Sequence, residues 1–367
     1  RFASLAHPVN EARNGPRSDR GRFNSGAVIN PVGLMGGEAA KLAIDAGSAL
    51  PMAGGPLAFT HKEILQPDDT GAIVSHLSPV TDGSVDLTDI IGTRDIFAGH
   101  DLSRPLIMGV VNVTPDSFSD GGDHADPRKA IVQARSLIDA GTDILDIGGE
   151  STRPGAVPID ITEECDRILP VIEAAVAAGG TVSVDTRHAE TMRAAIDHGA
   201  AIVNDVTALD GDPGSLDAVT ATGAAVILMH MQGRPETMQD TPEYRLASFD
   251  VFHWLKARVE ACEAAGIPRS RIAVDPGIGF GKTDVHNMEI LDRAGVFHGL
   301  GCAVAIGVSR KSFIGRIAGI ETPRDRQAGT LAATAIALSR GVQIHRVHDV
   351  AAARQAVAIW NAQYDNG

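Results

Sequence analysis

The chain has 367 residues, a hydrophobic fraction of 44% and a formal net charge of −14. This length allows one large or two ordinary domains, with enough apolar residues for a sizeable core. The negative charge argues against a general nucleic-acid or membrane-surface binder, and no apolar run approaches the ~20 residues needed to span a bilayer. The three cysteines, Cys165, Cys262 and Cys302, have neither metal-ligand nor redox spacing, which favours a reducing, cytoplasmic compartment.

Two segments precede the first strongly patterned part of the chain. Residues 1–30 are rich in Arg, Asn, Gly and Pro and lack a hydrophobic period. We therefore expect disorder there, with a targeting segment as the less favoured alternative. Residues 31–103 are glycine-rich with short apolar pieces such as GPLAFTHKEIL, which predicts an irregular extension with hairpins. We place 1–103 as a partly disordered N-terminal extension of unknown function and 104–367 as the main domain.

From Leu106 onwards, short apolar runs alternate with segments of helical period such as DPRKAIVQARSLIDAG and HAETMRAAIDHGA. The predicted strands are 106–112, 143–148, 181–185, 201–204, 224–230, 272–275, 303–308 and 343–347. Eight strands alternating with helices over about 260 residues are typical of a (β/α)8 barrel. A doubly wound sheet is the alternative, but no GxGxxG turn follows the first strand.

The first predicted strand ends abruptly in short polar residues, since LIMGVVN (106–112) is followed by VTPDSFSDGG (113–122). An ordinary turn explains one such ending, but polar residues recur at nearly every strand end. In a (β/α)8 barrel the functional groups lie at that rim. The residues singled out there are Asn112, Asp116, Asp146, Asp185, Asn204, Asp205, Met229, His230, Asp275, 309–312 and 346–349.

Several cationic side chains belong to this predicted rim. On the last strand Arg346 and His348 point the same way, about 6–7 Å apart at ~3.3 Å per residue. Lys311 follows the preceding strand, and Arg153 lies in the loop after the second. Arginine is suited to bidentate contact with phosphate oxygens, so these residues predict a site for an anionic substrate. The alternative is that each pairs with a nearby carboxylate such as Asp349.

Asp185, Asn204 and Asp275 end three different predicted strands. A carboxylate accepts two parallel N–H bonds, whereas an amide both donates and accepts. Together such groups are suited to the edge of a flat amino-pyrimidinone heterocycle. An N-cap role is the alternative for Asp185.

Other chemistries have little support in the sequence. It has no Ser-His-Asp spacing, and the histidines at the strand ends are too scattered for zinc. Asn112, beside a bound polyphosphate, is suited to Mg²⁺, which binds through oxygen and keeps waters. Mg²⁺ is therefore the metal that we expect.

Seven motifs then follow one another along the chain: NVTPDSFSDGG (112–122), LDIGGESTRPGA (145–156), SVDT (183–186), LMHMQG (228–233), DPGIGFGK (275–282), SRKSFIG (309–315) and RVHDV (346–350). Together they resemble the dihydropteroate synthase family of pterin-binding barrels, over essentially all of 106–360. The resemblance implies a folate-pathway transferase. Such an enzyme joins 6-hydroxymethyl-7,8-dihydropterin diphosphate to 4-aminobenzoate and forms 7,8-dihydropteroate and diphosphate.

The resemblance also implies a role for each matching position. The pterin ring would be held by Asp185, Asn204, Asp275 and Lys311, with Met229 as a further substrate-binding residue. The diphosphate would be bound by Asn112, Arg346 and His348, with Asn112 also a ligand of Mg²⁺. The aminobenzoate pocket would be formed by Thr152, Arg153, Pro154, Lys311 and Ser312.

The catalytic roles implied in this way fall to Asp116, Lys311, Arg346 and His348. Mg²⁺, Arg346 and His348 would neutralise the leaving diphosphate. Asp116, on a closing loop with Phe118, would stabilise the cation left on the pterin methylene. We expect sulfonamides to compete with 4-aminobenzoate, because no insertion is visible around the aminobenzoate loops. The family implies a homodimer.

Three rival interpretations stay open at this stage. A pterin-binding methyltransferase acting on methyltetrahydrofolate would share the Asp and Asn contacts, but it has no use for Arg346 and His348. A Schiff-base lyase would use Lys311 as its nucleophile. A non-catalytic pterin-binding module would need neither Mg²⁺ nor Arg346 for its function.

Overall fold

A computed structural model describes residues 26–94, 96–114, 127–151, 159–233 and 238–364. Within these ranges an antiparallel sheet precedes a closed barrel of parallel strands. Four predicted site residues lie outside the described residues, namely Asp116, Thr152, Arg153 and Pro154. The disorder predicted for residues 1–25 also lies outside them.

The extension is more regular than its composition predicts. Its elements are β1 (Val28–Gly36), α1 (Gly37–Asp45), β2 (Leu50–Pro51), β3 (Leu57–Pro67), β4 (Ile73–Pro79), α2 (Thr88–Ile91), β5 (Ile96–Phe97) and β6 (His100–Asp101). The strand β3 pairs antiparallel with β1, β2 and β4. The expectation of disorder is wrong for residues 28–30, which begin β1. Pairing with a distant strand orders them, as where Ile29 lies opposite Ile64.

The sheet and the barrel share one hydrophobic core, to which Phe59 of β3 and Phe297 of the barrel domain both belong. Polar contacts also cross this boundary. The guanidinium of Arg293 donates to both oxygens of Glu63, over 3.1 Å from Nε and 2.9 Å from Nη2. The extension is therefore packed onto the barrel and is not a separate tail.

The barrel contains eight strands, and their positions confirm the predicted set to within one residue at each end. They are β7 (Leu106–Asn112), β8 (Ile144–Gly148), β9 (Thr181–Asp185), β10 (Ile202–Asp205), β11 (Ala225–Met229), β12 (Ile272–Asp275), β13 (Ala303–Gly307) and β14 (Ile344–Val347). Each is parallel to its neighbours, and β14 closes the barrel by pairing with β7. The (β/α)8 prediction is confirmed, and the doubly wound alternative is wrong.

Side chains alternate along the barrel strands between two apolar layers, as the strand period requires. Leu106 and Met108 belong to the cluster inside the barrel, whereas Ile107 and Val111 belong to the layer between strands and helices. Phe97 of β5 is fully buried and joins the inner cluster with the first residues of several strands. The inner cluster therefore fills the amino-terminal end, and the carboxyl ends of the strands carry the polar groups.

Helices surround the barrel, with at least one after each strand. They are α3 (Pro127–Asp139), α4 (Ile161–Ala177), α5 (Ala189–Asp197), α6 (Ser215–Thr222), α7 (Ala247–Ala264), α8 (Asp284–Asp292), α9 (Ser312–Ala318), α10 (Gln327–Leu338) and α11 (Val350–Ala362). Of the helices whose first cap residue is described, three begin with a side-chain cap, from Asp160, Thr283 and Asp349. Such a cap satisfies an N–H group that has no partner within the helix. Of the helices in the described part of the chain, none is long and apolar enough to cross a membrane.

Candidate active site

Arg346 is the centre of the polar array at the carboxyl ends of the strands. From β14, its Nε donates to Oδ2 of Asp146 over 2.5 Å and its Nη2 donates to Oδ2 of Asp185 over 2.7 Å. One guanidinium thus connects the last barrel strand, β14, with β8 and β9. Burial alone would lower the pKa of Arg346, but the carboxylates of Asp146 and Asp185 raise it above its ordinary value. Arg346 therefore stays cationic.

The partners of Arg346 differ from the simplest alternatives in the sequence. Asp349, the neighbouring carboxylate, caps α11 by accepting from Ala352 N over 2.9 Å. Asp185 is not an N-cap, because His188 occupies that position of α5. Both carboxylates thus have defined roles, and the side chain of Asp185 is left to face Arg346.

Asn204 lies beside Asp185 in the register of β9 and β10. Its Nδ2 donates to Oδ2 of Asp146 over 3.1 Å. Asp146 is fully buried, and Asn204 is 7% exposed. The predicted pair of Asp185 and Asn204 is therefore brought together, with Asp146 behind it as a shared acceptor.

Burial has a strong effect on the acidity of Asp185. It raises the pKa of this carboxyl to about 7, an effect that Arg346 opposes and Asp146 reinforces. An added Cβ on Gly148 would lie 3.2 Å from Cβ of Asp185. The absent side chain at Gly148 thus leaves the space that Asp185 occupies.

Asp275 and Lys311 form the second charged pair of the array. Asp275, at the end of β12, is 7% exposed, and its Oδ1 accepts from Gly277 N over 2.7 Å. Burial raises the pKa of Asp275, and Lys311 and Arg346 oppose this rise. Burial also lowers the pKa of Lys311 to about 8, and Asp275 opposes that change. Each group of the pair thus stabilises the charge of the other.

The position of Lys311 is set by the glycine-rich loop that follows β12. Its Nζ donates to the carbonyl of Ile278 and lies 4.7 Å from the centre of the Phe280 ring. An added Cβ on Gly279 would lie 3.1 Å from Cδ of Lys311, and one on Gly307 would lie 3.9 Å from its Nζ. Two glycines therefore allow this long side chain to reach the mouth of the barrel.

The remaining predicted residues line the same rim. Asn112 ends β7, and Met229 ends β11 opposite Asp275 in the register. His348 follows β14, and its Nδ1 lies 3.0 Å from Oγ of Ser309. Ser312 is exposed at the start of α9. The carboxyl ends of the strands thus hold all the predicted site residues that the structure describes.

Asp146 and Lys282 make contacts in this region that their sequence motifs did not predict. Asp146 was only one of many strand-end residues in the sequence, yet it contacts both Asn204 and Arg346. Lys282, the last letter of DPGIGFGK, is 1% exposed and lies 2.9 Å from Nδ1 of His230. A charged residue inside the apolar run ILDIG is the sequence signal for the first. Lys282 has no comparable local signal.

Comparison with known proteins agrees with this geometry. The sequence model of the family described as "Pterin binding enzyme" matches residues 108–348. The dihydropteroate synthase of Escherichia coli (strain K12) is 43% identical over 263 residues, which are 71% of this chain and 93% of that protein. The match thus covers the barrel and nearly the whole of that relative.

Solved structures of such relatives have the same fold. Xanthomonas albilineans dihydropteroate synthase with 4-aminobenzoic acid has a TM-score of 0.69 at 45% identity, covering 74% of this chain and 97% of that one. The same enzyme in complex with 7,8-dihydropteroate has a TM-score of 0.67 at 42% identity, covering 73% and 97%.

A Yersinia pestis dihydropteroate synthase in a sulfonamide drug complex has a TM-score of 0.69 at 42% identity, covering 72% of this chain and 96% of that one. These relatives support the synthase interpretation over the methyltransferase alternative. The family match spans most of the chain, and the relatives are aligned over nearly their full length. The chain belongs to the dihydropteroate synthase family of pterin-binding enzymes.

Proposed function

We propose that the mouth of the barrel joins a 7,8-dihydropterin carrying a methyl diphosphate to 4-aminobenzoate, giving 7,8-dihydropteroate and diphosphate. The observation that carries this proposal is the polar array around Arg346, which contains Asp185, Asn204, Asp275 and Lys311. Family membership supplies the reaction. The array supplies both hydrogen-bond donors and acceptors, and a flat pterin requires both.

The pterin ring is suited to the side of the array that holds Asp275. One of its oxygens accepts from Gly277 N, so the carboxylate keeps further lone pairs for two N–H groups of an aminopyrimidinone edge. Lys311 can donate to the ring carbonyl beside them. A neutral ring with both donors and acceptors satisfies these buried groups, which otherwise stay costly.

The diphosphate is suited to Arg346, His348 and Asn112. Two of the five N–H groups of Arg346 are engaged with Asp146 and Asp185, which leaves donors for phosphate oxygens. His348 and Asn112 lie at the ends of β14 and β7, which are neighbours in the barrel. The leaving group would therefore lie between two adjacent strand ends.

Mg²⁺ fits this arrangement as an ion that the substrate mostly holds. Over the described ranges, no group of three or more His, Cys, Asp or Glu side chains forms a metal site. The amide oxygen of Asn112 is a suitable single protein ligand, since Mg²⁺ binds phosphate oxygens and keeps waters. When bound, it would neutralise charge on the diphosphate.

The chemical step breaks the bond between the pterin methylene and the diphosphate oxygen. The electron pair leaves with diphosphate, the amine nitrogen bonds to the methylene, and the amine then loses a proton. Arg346 and His348 would stabilise the charge that develops on the departing oxygens. Lys311 would hold the ring, and Asp116, outside the described residues, would stabilise the positive charge on the methylene. No covalent enzyme intermediate is required.

The pocket for 4-aminobenzoate would adjoin Lys311 and Ser312 at the start of α9. Its other predicted residues, Thr152, Arg153 and Pro154, lie outside the described residues. We expect a sulfonamide to occupy this pocket, so its apparent inhibition constant should rise with the concentration of 4-aminobenzoate. An inhibition constant that does not respond to 4-aminobenzoate would contradict this assignment.

We also propose a homodimer in the cytoplasm. Family resemblance supports the dimer, and three free cysteines, Cys165, Cys262 and Cys302, support a reducing compartment. Sedimentation of the purified chain tests the dimer directly. A monomer at assay concentration would contradict it.

The main experiment is an assay of the purified chain with both substrates and Mg²⁺. We expect equal amounts of 7,8-dihydropteroate and diphosphate, loss of both in Asp275→Asn, and loss of both on chelation with EDTA. The matched control is Arg354→Lys. Arg354 lies on α11, remote from the array, so this variant should keep its activity. Binding of the pterin substrate without any product would instead favour the non-catalytic interpretation.

A further inference from the structure

Asp146 contacts two of the groups that would face the substrate. It lies in the middle of β8 and is fully buried. Its Oδ2 accepts from Nδ2 of Asn204 over 3.1 Å and from Nε of Arg346 over 2.5 Å. Its Oδ1 is buried and has no hydrogen-bond partner within the described residues. The Asp146 carboxylate therefore contacts Asn204 and Arg346 from inside the barrel wall.

The chemistry of a carboxylate makes this contact directional. An ionised carboxylate can only accept, whereas a side-chain amide has one donating and one accepting end. The amide of Asn204 must therefore turn its NH₂ group towards Asp146. Its Oδ1 is then left to face away from Asp146, as an acceptor.

Arg346 is fixed in a similar way. Because Nε donates to Asp146 and Nη2 donates to Asp185, two N–H groups of the planar guanidinium are held by carboxylates on different strands. A planar group held at two points cannot rotate about its own axis. The unused N–H groups therefore point in a defined direction.

We propose that Asp146 is a positioning residue that fixes the hydrogen-bonding polarity of the pterin pocket. It acts through Asn204, whose acceptor end it directs towards the ligand, and through Arg346, whose free donors it orients. This inference rests on the proposed function, because it assumes that the pocket takes a pterin. Asp146 itself need not touch the substrate.

The test begins with binding of 7,8-dihydropteroate to the wild-type chain, measured by titration calorimetry. Absence of binding by the wild type would contradict the proposed function itself. With wild-type binding established, Asp146→Asn should weaken it about tenfold or more, because an amide no longer dictates the orientation of Asn204. Ser183→Ala, a buried neighbour of Asp146 in the register of β8 and β9, is the matched control and should bind normally.

Asn204→Asp gives an independent measurement that leaves Asp146 in place. A carboxylate at position 204 has no N–H for Asp146, so binding should again weaken about tenfold or more. The double variant D146N/N204D has one amide and one carboxylate with their places exchanged, so the amide at position 146 can donate to one oxygen at position 204 while the other oxygen faces the pocket. Its loss of affinity relative to the wild type should be at least fivefold smaller than the product of the two single losses.

Three results would overturn the inference while leaving the proposed function intact. One is wild-type affinity in Asn204→Asp, which remains informative even where Asp146→Asn fails to fold. Another is a double variant whose loss equals the product of the single losses, since the two residues would then act independently. The third is an equal loss in Ser183→Ala, which would indicate general distortion of the barrel.

Discussion

The Nζ of Lys282 lies 2.9 Å from Nδ1 of His230, although 52 residues separate them in the sequence. Nζ also donates to the carbonyl of Phe280 over 3.0 Å. Burial lowers the pKa of Lys282 well below its ordinary value, and burial and then Lys282 lower the pKa of His230 to about 2. Both groups thus tend towards the neutral form, as expected for two basic groups that share one buried space.

This pairing predicts a pH-dependent stability. The unfolded chain binds a proton on Lys282 up to a pKa of about 10.4, whereas the folded chain releases that proton at lower pH. The free energy of unfolding should therefore rise with pH between the two values, by at most about 1.4 kcal/mol per unit. Lys282→Met should show a shallower rise in urea unfolding between pH 7 and 10.

The control is Lys256→Met, which removes an exposed lysine on α7. Its stability should follow the wild-type pH dependence, because this substitution leaves Lys282 and His230 in place. Parallel curves for wild type and Lys282→Met would show that Lys282 binds its proton equally in both states. That outcome would contradict the prediction.

Asp185 and Lys311, at the mouth of the barrel, predict the pH dependence of kcat/KM. Burial raises the pKa of Asp185 to about 7 and lowers the pKa of Lys311 to about 8. Activity should fall below about pH 7, where Asp185 gains a proton, and above about pH 8, where Lys311 loses its charge. Because kcat/KM reports the free enzyme, its profile should be narrow and centred between these values.

Lys311→Arg separates the two limbs of that profile. Arginine keeps its charge to a pH above 12, so the alkaline limb should move upwards by at least one unit while the acid limb stays. A lower maximal rate is expected, because the guanidinium has a different shape. An unchanged alkaline limb would assign it to another group.

The loop 276–282 predicts a sharp contrast between two glycines. Gly277 has φ +67°, and an added Cβ would lie 1.9 Å from the carbonyl oxygen of His230. Gly223 has φ +77° but open space around it. Gly223→Ala should cost about 1 kcal/mol of backbone strain. Gly277→Ala should cost about 3 kcal/mol or more, because backbone must also move.

Gly277→Ala should also raise the KM for the pterin substrate, because the same loop bonds Asp275 through Gly277 N and Lys311 through Ile278. Thermal unfolding and steady-state kinetics of the two variants check this pair of expectations. Equal losses of stability in both would mean that the loop yields easily. The close approach of Gly277 to the His230 carbonyl would then be unimportant for the site.

The barrel could be predicted from sequence because its strands are short apolar runs separated by helical periods. Apolar residues on both faces of β8, ILDIG, identify a strand that is buried on both sides. The extension could not be predicted to the same degree. Its strand β1, VINPVGLMG, contains proline and glycine and has no clean alternation, and partners on β3 more than 20 residues away order it.

The sequence predicted which residues lie at the site but not which of them contact one another. Strand ends meet at one rim by topology, so Asp185, Asn204 and Asp275 could be grouped without coordinates. The bond from Arg346 to Asp146 spans 200 residues, and no local pattern indicates which carboxylate an arginine will face. Asp146 was therefore recognisable as a buried polar residue but not as a shared acceptor.

Arg346 should tolerate no replacement, even by lysine. Arg346→Lys keeps one charge but loses the planar fork that reaches both Asp146 and Asp185. Breaking such a buried arrangement costs about 3–5 kcal/mol, and kcat/KM should fall by about 100-fold or more. Arg354→Lys, whose guanidinium bonds Asp143 over 2.6 Å outside the site, should lose far less activity. Similar losses in both variants would contradict a special role for Arg346.

Arg94 predicts that the extension stabilises the barrel without taking part in catalysis. This buried guanidinium donates to Gly92 and Asp89 in its own segment and, over 3.0 and 2.7 Å, to the carbonyls of Cys302 and His298 in the barrel domain. Lysine cannot satisfy four carbonyls in these directions. Arg94→Lys should therefore lower the free energy of unfolding by about 3 kcal/mol and leave kcat unchanged.

Arg104→Lys is the matched control, since Arg104 is half exposed and bonds Asp143 over 3.1 Å. It should change stability by less than about 0.5 kcal/mol. Limited proteolysis of Arg94→Lys should cut within the extension faster than in the wild type, because its anchor on the barrel is weakened. If protease instead removes the wild-type extension and leaves a barrel of unchanged Tm, the shared core does not stabilise the barrel.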